Sequence, residues 1–92
     1  MADFSVMHDP AEHVFSVKVG GHRGVVDYSL RDGVMTIAHT GVPEAIGGRG
    51  VAAALVKAAL DTARGNGWKV VPACSYAAVF IKRHPEYADL LA

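Results

Sequence analysis

The chain has a single cysteine, Cys74, so no internal disulfide can staple it, and its five histidines follow no metal-ligand spacing. Neither a disulfide framework nor a metal site is therefore expected, and the fold must rest on apolar burial. Lysine plus arginine and aspartate plus glutamate each number nine, for a formal net charge of zero. No basic excess points to nucleic acid, and no run of like charge makes a polybasic membrane patch or a charged tail. No apolar stretch approaches the roughly 20 residues that cross a bilayer. The opening Met-Ala-Asp-Phe-Ser lacks the positive segment and apolar core of a secretory signal. A protein of the reducing cytoplasm, with no membrane partner, is expected.

What is present is enough for one globular domain over residues 1–92, about half of them apolar (51%). The first forty residues alternate in short blocks. Phe4, Val6 and His8 form a brief period-two pattern ending at Asp9-Pro10, and Val14, Phe15, Val17 and Val19 make a second strand-like run. Gly20-Gly21 then reads as a hairpin turn. Gly24 to Leu30 is the third run, Arg31-Asp32-Gly33 a tight turn, and Val34 to Thr40 the fourth.

The period then changes. From Gly50 to Arg64 the apolar residues Val51, Leu55, Ala58, Ala59 and Ala63 share a helical face, with Lys57, Asp61 and Arg64 opposite and close enough to pair. Gly65-Asn66-Gly67 ends this helix, Lys69 to Pro72 is a short strand, and Tyr76 to Arg83 is a second helix stopped before Pro85. Trp68 reads as packing. The order β-β-β-β-α-β-α defines an α+β fold of mixed α/β layers with a mostly antiparallel sheet.

The stretch with most chemical content is Val42 to Val56, where Gly47, Gly48 and Gly50 open the alanine-rich helix. A glycine loop before a helix leaves N–H groups converging at the positive end of the dipole, a natural phosphate site. Arg49 adds a fork of donors suited to phosphate oxygens. Glycines that merely permit a turn would look alike, and the alanines discriminate little because alanine is also the best helix former.

Pro43–Ala52 followed by this helix resembles the acetyl-CoA-binding motif of the GNAT superfamily of N-acetyltransferases. The motif runs Arg/Gln-x-x-Gly-x-Gly/Ala and aligns on Gly47, Gly50 and Ala52. Further blocks resemble a branch of very small, single-domain GNAT-like proteins. They are Val42-Pro43-Glu44-Ala45, Gly48-Arg49-Gly50, the run from Lys69 to Tyr76 with Cys74, and His84-Pro85-Glu86-Tyr87. The resemblance implies a minimal GNAT-like fold with a splay between the fourth and fifth strands. It also implies acetyl-CoA as cofactor and transfer of acetyl to an amine, a protein lysine or a small amine. The alternative is a module that binds CoA or acyl-CoA with little catalysis.

The implied cofactor site comprises Thr40, Val42, Gly47, Gly48, Arg49, Gly50, Val51, Ala52, Cys74 and Tyr76, with a backbone N–H near Val42 polarising the thioester carbonyl. Cys74 either lines the cleft or attacks the thioester, the latter needing an activating base such as His39 or His84. His39, just before the splay, is a candidate base for the incoming amine or else a half-exposed sheet residue. Glu44 is a second candidate base or an electrostatic support for the helix start. Two departures stand out. The first motif position is Gly47, where arginine or glutamine is usual, and the slot for the superfamily's proton-donating tyrosine falls on Lys82.

Overall fold

A computed structural model describes residues 4–47 and 50–92. Its elements are β1 (Met7–Asp9), β2 (Val14–Val19), β3 (His22–Arg31), β4 (Val34–Gly41), α1 (Val51–Asn66), β5 (Lys69–Pro72) and α2 (Ser75–Arg83), with 3-10 helices at Glu44–Ile46 and Pro85–Leu90. The strands form one sheet in chain order, antiparallel through β4 and then parallel between β4 and β5, which α1 connects. The two-residue hairpin turns are made by residues with positive φ, Gly20 and Gly21 between β2 and β3, Asp32 and Gly33 between β3 and β4. Such turns match the twist of the strands they join.

One face of the sheet is covered. Phe15, Val17, Val26, Tyr28, Met35, Ile37 and Val70 alternate onto it and form a single core with Val51, Leu55, Leu60, Phe80 and Ile81 of the two helices. Gly24 lies under α1, where an added Cβ would come within 3.0 Å of Val51 Cγ1 and 3.3 Å of Leu55 Cδ1, so its bare backbone lets the helix seat against β3. The opposite face carries half-buried or exposed side chains, among them Ser16, Val25, Asp27, Thr36 and His39. No helix of the described residues is long and apolar enough to cross a membrane.

The α+β order is as the sequence implies, with differences of detail. The first strand begins at Met7, and Phe4 and Val6 pack against the rim of the core ahead of it. The long helix runs through Gly65 to Asn66, and Gly67 alone takes the left-handed terminal conformation. Val56 and Leu60 are also fully buried. The apolar arc of α1 is wide because it packs on the sheet and on the C-terminal 3-10 segment together. Arg64 does not pair within its helix; it reaches Asp89, leaving Lys57–Asp61 as the pair along the outer face.

Two irregularities shape the site. The β3–β4 register shifts by one residue: Tyr28 pairs with Ile37 and Asp27 with His39, leaving Ala38 as a bulge. And β4–β5 pairing stops at Ile37 and Pro72 while β4 continues to Gly41, so the two strands splay.

Candidate active site at the strand splay

The bulge decides which side chains face where. In a regular strand His39 would follow Met35 and Ile37 onto the core face. Pairing with Asp27 places it on the uncovered face, where it is exposed. Thr40 turns the other way, opposite buried Val26, and its Oγ1 lies 3.3 Å from Cys74 Sγ. The same alternation turns the backbone groups of Thr40 and Val42 toward the edge that β5 has left. Among the described residues the Val42 N–H has no backbone partner.

Cys74 closes the apex of the splay. Its N–H donates to Ile37 O at 3.1 Å, and its Sγ caps α2 by accepting from the Ala77 N–H at 3.4 Å. Among the described residues no imidazole lies within hydrogen-bond distance of that sulfur. His84 sits at the far end of the nine-residue α2, stacked on Phe80 at 4.2 Å and 3.8 Å from Glu86 Oε2. His39 is on the other face of the sheet. The residues thus divide into two groups, Thr40 with Cys74 on the core side and His39 on the open side.

The start of α1 faces the same end of β4. Its N-cap, Gly50, has φ 81°, a left-handed conformation natural to glycine, and contributes no side chain to cap the helix. The first intrahelical bond is Ala54 N–H to Gly50 O. The N–H groups of Val51, Ala52 and Ala53 therefore open the helix without an intrahelical acceptor, and no acidic residue occupies the first turn to offset the dipole. Val51 serves through its backbone, since its side chain is buried in the core. The Gly47 N–H is already given to Glu44 O at 3.1 Å, and Glu44 itself lies exposed in the 3-10 helix without capping α1. Gly48 and Arg49 lie outside the described residues.

Beside this helix start runs a cavity of about 230 Å³ lined by Ala53, Tyr76, Val79, Phe80, Arg83 and His84. Tyr76 is 41% exposed and stands at the mouth of α2 toward α1. Arg83 is an addition that the glycine motif did not single out. The available signal was helical spacing, because Tyr76, Val79, Phe80 and Arg83 repeat at intervals that share one face. Arg83 brings a cation into the groove that continues from the uncapped helix end. Lys82 is exposed and lines a separate apolar groove with Pro72, Val79, Pro85 and Leu91, so the slot where the superfamily carries tyrosine is turned away from Cys74.

Among the described residues, a splayed parallel pair, a bulged strand whose edge is unpaired beyond Ile37, and an uncapped helix start therefore lie together at one end of the sheet. Residues 14–90 match the family described as GCN5-related N-acetyl-transferase, and the chain belongs to that family; it is an N-acetyltransferase. Among characterised sequences it is similar to Protein NATD1 of Mus musculus, 36% identical over 83 residues that cover 87% of this chain and 76% of the relative. It is 34% identical over 89 residues to Protein NATD1 of Danio rerio, covering 91% and 81% respectively. The solution structure of a GCN5-like protein from Staphylococcus aureus superposes with a TM-score of 0.75 at 27% identity, covering all of this chain and 91% of that one.

Proposed function

We propose that residues 1–92 act as one acetyl-CoA-binding domain that transfers the acetyl group to an amine by direct attack, without an acyl-enzyme. The observation that carries this reading is the juxtaposition of the uncapped α1 start with the unpaired β4 edge from Thr40 to Val42. The N–H groups of Val51, Ala52 and Ala53, with nothing among the described residues within 4 Å of where a Gly50 Cβ would stand, suit the pyrophosphate. The sequence motif assigns Gly48 and Arg49 to the same ligand, and among the described residues Tyr76 and Arg83 line the groove beside the helix start. The backbone of Thr40 and Val42 offers strand-like hydrogen bonds to the pantetheine arm. Bound there, acetyl-CoA supplies an activated acetyl thioester.

The chain's own groups then have defined tasks. The Val42 N–H donates to the carbonyl oxygen as negative charge develops on it, the interaction that gains most in the transition state. His39, on the open face, accepts the proton that the amine nitrogen loses as it bonds to the carbonyl carbon. The carbon–sulfur bond breaks and the sulfur departs as a thiolate. A thiolate is a good enough leaving group to depart without a dedicated acid, which accommodates Lys82 at the tyrosine slot. Cys74, engaged with Thr40 and the Ala77 N–H, lines the cleft.

The exposure of His39 on an uncovered sheet face favours a large acceptor that brings its own surface, such as a lysine on a protein. The zero net charge gives no support to a nucleic-acid partner, and the lone thiol fits a reducing, cytoplasmic setting. The test couples acetyl-CoA titration by calorimetry to thiol release on a panel of amines and lysyl peptides. Binding together with amine-dependent release of free CoA is expected. Tight binding with no release on any amine would replace this reading with that of a CoA-binding module.

A further inference from the structure

The glycine that ends β4 is not required by its backbone. Gly41 is absent from the positive-φ residues of the chain and pairs with Val25 in the ladder like any strand residue. What its missing side chain does is make room. A Cβ at Gly41 would lie 3.0 Å from His39 Nε2 and 3.6 Å from His39 Cδ2, with Val25 Cγ2 at 3.5 Å on its other side. Residues two apart on a strand share a face, and this is the uncovered face to which the bulge at Ala38 delivers His39. The imidazole therefore lies along the strand over bare backbone, its Nε2 edge toward the last residue before Val42.

We propose that Gly41 is a positioning residue for the acetyl transfer: its bare Cα seats the His39 imidazole at the end of β4. The proposal rests on the reading of His39 as the base. Base and oxyanion donor then come from one short run, His39 to Val42, so a bulge and a glycine set the reach of the ring toward an amine attacking the carbonyl carbon whose oxygen the Val42 N–H would hold. A methyl at position 41 would meet the tip of an exposed side chain, which can swing aside, so the fold survives while the base is displaced. Misplacing a catalytic group by about 1 Å can cost on the order of 100-fold in rate.

The experiment is Gly41→Ala in the full chain, alone and combined with His39→Ala, with kcat, KM for acetyl-CoA and the His39 ring resonances measured. Gly41→Ala is expected to lower kcat by about 5- to 50-fold with KM for acetyl-CoA within about twofold. In the His39→Ala background the same change should alter kcat by less than about twofold, because the group it displaces is gone. The His39 ring carbon and proton signals should shift in Gly41→Ala while the thermal melt stays in place. Equal losses in both backgrounds, or unmoved ring signals, would overturn the seat while leaving His39 as base. A wild-type kcat in His39→Ala alone would instead remove the base reading, and the seat with it.

Discussion

The Tyr87 hydroxyl donates a 2.7 Å hydrogen bond to Asp61 Oδ1, while Lys57 Nζ donates to Asp61 Oδ2 at 2.8 Å. One carboxylate on α1 thus ties down the His-Pro-Glu-Tyr ending. Arg64 completes the attachment with both amino groups on Asp89, at 2.9 and 3.0 Å, and a 2.7 Å bond to Glu86 O. The motif that looked like a family signature is physically a clasp that holds the C-terminal segment over the core.

Tyr87→Phe should keep the packing of a buried ring and lose only that hydrogen bond. A loss of about 1 kcal/mol is expected, the modest net value of one bond whose acceptor is partly solvated. Urea unfolding of Tyr87→Phe, Asp61→Asn and the double variant checks it; additive losses in the double variant would show that the two residues do not act as a pair. Burial pushes the Asp61 carboxyl up, but the hydrogen bonds from Lys57 and Tyr87 together with the charges of Lys57 and Arg64 outweigh it and hold its pKa below the ordinary 3.8. A depressed folded-state value means this contribution is present above that pH and lost as pH falls through the acid range.

His8 gives the opposite end of the pH story. Its Nε2 is 2.6 Å from Tyr28 Oη and its ring stacks on Phe15 at 4.1 Å. Desolvation lowers its pKa from 6.5, assisted by the nearby His13 and opposed by Asp9. A lowered value favours the neutral ring in the folded state. The stabilisation is therefore complete above about 6.5 and shrinks as pH drops below it. Denaturation midpoints at pH 7.5 and 5.5 should differ more in the wild type than in His8→Phe, and an equal difference would exclude His8 as the source.

Gly50→Glu should abolish CoA binding, because it places a negative charge where the helix start attracts one of the same sign. Its φ of 81° strains most larger residues, although nothing among the described residues lies within 4 Å of an added Cβ. Gly50→Asn, which tolerates the left-handed region, is the matched control and should stay folded with weaker, measurable binding. Calorimetric affinity retained in a folded Gly50→Glu protein would refute the assignment of the phosphate site.

Cys74→Ala should retain most of its turnover and lose about 0.5–1 kcal/mol of stability with the α2 cap. Intact mass spectrometry after incubation with acetyl-CoA should show no acetylated cysteine in the wild type. A trapped acetyl-Cys74 together with a collapse of kcat in the alanine variant would establish covalent catalysis instead.

The elements of the fold were legible because each carries its own local signal. Gly20-Gly21 and Asp32-Gly33 mark turns that demand positive φ, and the change from period two to period 3.6 at Gly50 marks the helix whatever surrounds it. The two 3-10 segments, of three and six residues, were not legible, since runs that short leave no periodicity. Within the candidate site, Gly50 and Cys74 announced themselves by composition and motif. Arg83 did not, because its relevance depends on α2 lying alongside the first turn of α1, a contact between segments thirty residues apart. Nor could sequence show that the Gly47 N–H is spent on Glu44 O.

By itself, then, the chain determined its strands, its helices and a glycine-led helix start, since turn chemistry and hydrophobic period act over a few residues. Its direction of facing at the site was decided only in three dimensions. Ile37 and His39 are two apart and, by simple alternation, belong on one face. The ladder with β3 skips Ala38, sends His39 to the open side and brings Thr40 to Cys74. A bulge is a property of how two strands pair, so no single strand's sequence contains it.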